Sequence, residues 1–121
     1  MKRSAMALVI SVLFAVPAAE AGQAPIRIGA LYPITGSLAL LGEESWRGAE
    51  VARQFRNQKG GVAGRQVEFL RADVPDVNAA KSEAERLISR EGMKVLIGTY
   101  SSSLSLGASE VAARAGVTYF E

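Results

Sequence analysis

Short apolar runs rich in β-formers alternate along this chain with stretches of helical period, and that alternation constrains its fold more than any other feature. Ile26 to Tyr32, Arg65 to Ala72, Val95 to Gly98 and Val117 to Phe120 read as strands. A helix is predicted from about Ala39 to Lys59. Its stripe is Leu41, Ser45, Gly48/Ala49, Ala52 and Phe55, with Glu43, Glu44, Glu50, Arg53 and Arg56 mostly off it. The small residues of that stripe predict close packing on the sheet. A second helix, capped by Asp76 and running to about Glu91, carries Val77, Ala80, Ala84, Leu87 and Ile88. A third follows Leu104, Ala108, Val111, Ala112 and Ala115. Gly60-Gly61, Gly92 and Gly116 stop the three helices. The order β-α-β-α-β-α-β predicts an α/β fold: a parallel, doubly wound sheet with right-handed crossovers and helices on both faces. Val95-Leu96-Ile97-Gly98 is continuously apolar, as a central strand requires, whereas the polar alternation of Arg65 to Ala72 predicts a peripheral strand. The 121 residues suffice for one compact domain. They stop immediately after the fourth strand, where such a fold would continue into a helix, so a truncated product or fragment is expected.

Residues 1–21 read as a cleaved export leader. Lys2 and Arg3 precede an apolar stretch from Ala5 to Val16, Pro17 ends it, and Ala19-Glu20-Ala21 places small residues at both cleavage-determining positions. The stretch is well short of the roughly 20 residues that span a bilayer. Cleavage after Ala21 leaves a mature chain from Gly22, with Ala24 offering a second site. A periplasmic location follows. Losing Lys2, Arg3 and Glu20 takes the 14 basic and 12 acidic side chains to 12 and 11. A charge of that size gives no footprint for nucleic acid or an anionic membrane.

The sequence has no cysteine and no histidine. Disulfides, thiolate chemistry and the usual neutral-pH general base are therefore missing. A serine nucleophile would lack its base, G-x-S-x-G does not occur, and neither dinucleotide nor phosphate-loop fingerprints are present. No cofactor is expected. Asp73 and Asp76 are two isolated carboxylates near a strand end, more in keeping with turn capping than with a metal. Trp46 reads as packing or surface.

Ligands of open parallel sheets bind beyond the carboxyl ends of the strands. Pro33 to Leu41 and Thr99 to Ser103 are the loops that fall there. In the second, Tyr100-Ser101-Ser102-Ser103 is predicted as a polar turn before a helix. Free N–H groups at that helix end, with the serine hydroxyls, suit a carboxylate or another small anion. The plainer alternative is that one serine caps the helix and the others are solvated.

Several segments, taken in order, resemble the type I periplasmic solute-binding proteins of the leucine/isoleucine/valine-binding kind. Ile26-Arg27-Ile28-Gly29 with Pro33-Ile34-Thr35-Gly36 looks like the family's opening strand and loop. Leu41-Gly42-Glu43 with Gly48-Ala49-Glu50 is similar to its first helix, and Asn57 to Gly61 with Gly64-Arg65 to its following turn. Leu96-Ile97-Gly98 with Ser101-Ser102-Ser103 resembles its serine loop. Ala72-Asp73 and Asp76-Val77 depart from the usual double aspartate and Asp-Pro. The resemblance implies that residues 22–121 are the N-terminal part of the first lobe of a two-lobed, hinge-closing protein. That protein would bind an amino acid or similar carboxylate, most often a branched-chain or aliphatic one, and deliver it to the membrane permease of an ABC transporter. It also implies that Ser102 holds the ligand carboxylate through its N–H and hydroxyl, and that Ser101, Tyr100 and Leu41 line the pocket. Leu41 stands where some relatives carry an aromatic residue. A sensor domain of the same fold, or a secreted α/β enzyme with its base elsewhere, is the alternative.

Overall fold

The computed structural model describes residues 22–121; the expected leader lies outside the described residues. Four strands form one parallel sheet: β1 (Ile26–Tyr32), β2 (Val67–Asp73), β3 (Val95–Gly98) and β4 (Thr118–Phe120), in the spatial order β2-β1-β3-β4. Three helices connect them: α1 (Ala39–Gln58), α2 (Val77–Ser89) and α3 (Ser102–Arg114). The predicted α/β class, element order and edge position of β2 agree with this arrangement. β1 pairs along its whole length with β2, from Ile26↔Val67 to Tyr32↔Asp73, and on its other side with β3, from Gly29↔Leu96 to Leu31↔Gly98.

Right-handed crossovers put α1 on one face of this sheet and α2 with α3 on the other. The core lies on the α2–α3 face. Leu31, Ala72 and Leu96 of the strands meet Ala80, Ala84 and Leu87 of α2, and Leu104, Ala108, Val111 and Ala112 of α3. Each fully buried leucine contributes about 1.5–3 kcal/mol by leaving water. Asp76 caps α2 as predicted, its carboxylate accepting from the Ala79 N–H at 2.9 Å. Gly29 lies where an added Cβ would meet Leu96 and Leu87 at under 3 Å, so β1 carries no side chain beneath that packing.

α1 departs from the expected stripe. Leu41, Ala52 and Phe55 are exposed, and Gly48 has open space above it. The face turned to the sheet is instead Gly42, Trp46, Glu50, Arg53 and Asn57. The reason is an aromatic and charged cluster on β1 and β2. Trp46 sits 5.9 Å from the Tyr32 ring and 5.8 Å from the Phe69 ring, both tilted, and the Arg71 guanidinium lies 4.8 Å from its centroid. Each aromatic pair adds about 0.5–1.5 kcal/mol beyond the area it buries. Arg71 also pairs with Glu43, and Asn57 brackets Val67 with hydrogen bonds to its N–H and C=O. A helix held this way needs few aliphatic residues on its inner face.

Candidate ligand-binding site

β1 and β3 are neighbours, yet the chain leaves their carboxyl ends toward opposite faces, into α1 and into α3. This is the topological switch point of the sheet, where the two departing loops cannot fill the space between them and a crevice opens. The sheet order thus selects the same two loops that the sequence singles out.

The loop after β1 begins at the buried Pro33 and turns at Gly36, whose φ of +79° suits glycine. Its conformation is fixed from the neighbouring strand. The Asp73 carboxylate accepts from the N–H of Ile34 at 2.7 Å, the N–H of Thr35 at 3.2 Å and the hydroxyl of Thr35 at 2.6 Å. Partial burial alone would raise the pKa of Asp73. The bonds from Thr35 and Ile34, with the charge of Arg71, outweigh it and hold the group below the usual carboxylate value. Gly42 then brings α1 onto the loop so closely that an added Cβ would lie 1.8 Å from the Pro33 carbonyl oxygen. Leu41 is therefore carried on the first turn of α1, about two-fifths exposed.

The loop after β3 rests on buried hydroxyls. Thr99 donates from its side chain to the Ser101 carbonyl at 3.0 Å and lies 3.0 Å from the Ser105 hydroxyl, and both residues are buried. Tyr119 of β4 donates to the Gly98 carbonyl, and burial pushes its hydroxyl pKa up. Above this base, α3 starts two residues earlier than the predicted polar turn allows, at Ser102. Ser101 stands at the cap position with no capping bond from its side chain; its hydroxyl lies 3.0 Å from that of Ser103. The first backbone bond of the helix runs from the Ser105 N–H to the Ser101 carbonyl at 2.9 Å. The N–H groups of Ser102, Ser103 and Leu104 precede it and find no acceptor among the described residues. The side-chain cap of the plainer alternative is thus not formed, while Ser102 and Ser103 are exposed as that alternative has them.

Tyr100, Ser101 and Ser102 are contiguous in this loop, with Tyr100 and Ser102 exposed and Ser101 half-buried. Leu41 belongs to the neighbouring connection. The depression that Ser102 lines runs along the flank of α3 with Ser105, Leu106, Ser109, Tyr119 and Glu121, and does not include Leu41 or Tyr100. Ser105 is a support that sequence reading did not assign, and Asp73, read as capping a turn, does so for the loop after the neighbouring strand. Ser105 was detectable as a polar residue between Leu104 and Ala108 on the buried stripe of α3. Asp73 reaches a partner 38 residues away and had no local signal beyond its place at a strand end.

Known proteins share this fold. Residues 25–121 match the family model described as periplasmic binding protein. A Leu/Ile/Val-binding protein homolog 8 of Brucella abortus is 52% identical over 101 residues, covering 84% of this chain and 25% of the relative. The branched-chain amino acid transporter substrate binding protein of Streptococcus pneumoniae, solved with isoleucine, superposes with a TM-score of 0.75 at 29% identity. That match covers 78% of this chain and 28% of the other. A solute binding protein of an ABC transporter from R. palustris, solved with benzoate, gives 0.68 at 30% identity over 78% of this chain and 26% of its own. The chain spans about a quarter of the length of these relatives. With nearly the whole described chain inside the matched region, this protein belongs to the periplasmic binding protein family.

Proposed function

We propose that residues 22–121 are the N-terminal part of the first lobe of an exported solute-binding protein. It captures a small carboxylate, foremost a branched-chain or aliphatic amino acid, for the permease of an ABC transporter. The observation that carries this reading is the start of α3 at the switch point: three backbone N–H groups and the Ser102 hydroxyl find no partner among the described residues. Such an end attracts an anion through directed donors and through the positive pole of the helix. Ser102 would hold the carboxylate, with Ser101, Tyr100 and Leu41 lining the pocket. The solved relatives support the class of ligand, because isoleucine and benzoate share a carboxylate and differ in the group behind it. Binding without a chemical step is the role these residues suit, and membership of the family implies an extracytoplasmic place for it.

The test is calorimetric titration of the complete gene product with isoleucine, leucine, valine and benzoate. Saturable binding of at least one is expected. No heat of binding with any of the four, from a folded protein, sinks the reading.

A further inference from the structure

We infer that Asp73 is the positioning residue of the ligand-side loop: it holds Pro33 to Gly36, and through them the first turn of α1 with Leu41, in the geometry that receives the ligand. This inference rests on the binding reading above, but its physical core does not.

The loop has no ladder of its own to satisfy its backbone. β1 ends at Tyr32, and Pro33 has no N–H to give. The next two N–H groups, of Ile34 and Thr35, both go to one carboxylate oxygen of Asp73, and the Thr35 hydroxyl takes the other. One side chain of the neighbouring strand thus gathers three donors from consecutive residues, across 38 and 39 positions of sequence. Asp73 can reach them because it is the register partner of Tyr32, and the Val74 N–H bond to the Tyr32 carbonyl at 3.2 Å continues the pairing past the strand end.

What the loop fixes is the start of α1. The Ala39 N–H bonds the Gly36 carbonyl at 3.3 Å, and Gly42 sits against the Pro33 carbonyl with no room for a Cβ. A shift of Pro33 therefore moves the turn that carries Leu41. Asp73 does not share this task with Asp76, whose carboxylate is taken by the Ala79 N–H of its own helix.

The experiment compares Asp73→Ala, Asp73→Asn and Thr35→Val with wild type in the complete gene product. Two readouts are used well below the thermal midpoint: isoleucine affinity by calorimetry, and backbone amide exchange of the segment from Ile34 to Leu41. Asp73→Ala should speed exchange in that segment and weaken isoleucine binding about tenfold, as follows when the loop keeps its binding geometry about a tenth of the time. Asp73→Asn should restore both to within about threefold, because its carbonyl oxygen still accepts the two N–H groups and its amide can donate to Thr35. Thr35→Val removes one bond of the three and should move both readouts in the same direction by less. It also keeps the test open should Asp73→Ala not fold. Unchanged exchange in the variants overturns the inference. So does a lowered Tm with unchanged affinity, which is what a merely structural residue gives, or an Asn variant as impaired as Ala. If wild type binds none of the amino acids, the binding reading fails, and exchange alone then decides whether Asp73 holds the loop.

Discussion

Replacing Ser102 by alanine separates a ligand contact from a structural serine, because the hydroxyl has no partner among the described residues. Ser102 is exposed at the first position of α3, and alanine is the better helix former there. Folding stability should therefore stay level or rise by a few tenths of a kcal/mol. Binding should behave otherwise. One hydrogen bond from a hydroxyl to a charged carboxylate is worth about 1.5–3 kcal/mol, which is roughly a 10- to 150-fold rise in Kd. The backbone N–H groups of Ser102, Ser103 and Leu104 survive the change and should keep residual affinity. Ser103→Ala should weaken binding less, since that hydroxyl already faces Ser101 at 3.0 Å. The assay is calorimetry with isoleucine on the complete gene product, beside thermal unfolding of each variant. If Ser102→Ala binds like wild type while Ser103→Ala does not, the loop is assigned in the wrong register. If neither matters, the carboxylate lies elsewhere and the donors of this helix end serve water.

Three further outcomes are expected. Mass spectrometry of the protein exported from a Gram-negative host should show a chain beginning at Gly22 or shortly after; an intact Met1 start would refute the leader. Gly42→Ala should lower Tm, since its Cβ would lie 1.8 Å from the Pro33 carbonyl oxygen, whereas Gly48→Ala, with open space, should raise it by the ordinary helix preference of up to about 1 kcal/mol. Equal effects would mean that α1 does not approach the loop as described. Because the folded-state pKa of Asp73 is depressed, its hold on the loop is complete at neutral pH and is lost only as the pH falls through that lowered value. Exchange protection of Ile34 and Thr35, corrected for the intrinsic rate, should persist from neutral pH down through the ordinary carboxylate range and fall only below it, while the Asp73→Asn variant should show no such step.

The strands and the two helices on the core face were legible in the sequence because local pattern and burial coincide there. Ala80, Ala84 and Leu87 are aliphatic, evenly spaced and fully covered. α1 was misread because its inner face is built from residues that hydropathy counts as outward. Arg53 bonds Glu50 and the Val67 carbonyl, and Trp46 meets tilted rings from two other elements. These partners are far away in sequence, so no periodicity within the helix announces them. The serine loop was legible as a polar connection at the carboxyl end of β3 and illegible in detail. The helix begins inside the serine run, and the hydroxyl that steadies it, on Ser105, lies a full turn further on.

The two halves of the crevice are consequently steadied by unrelated means, and this bears on how a ligand would use them. The β3–α3 side is braced from within, by Thr99, Ser105 and Tyr119 beneath the free N–H groups. Those donors are aimed before any ligand arrives, and little ordering is required of them on binding. The β1–α1 side is held from the sheet edge by a carboxylate whose partners lie in a part-exposed loop. Beyond the buried Pro33 it has little hold on the core, since Leu38 alone of its residues flanks the cluster between α2 and α3. A carboxylate would thus meet a rigid anchor on one side and an adjustable wall on the other. Under the proposed function, such a division suits ligands that share a carboxylate and differ in the group behind it, as the isoleucine and the benzoate of two solved relatives do.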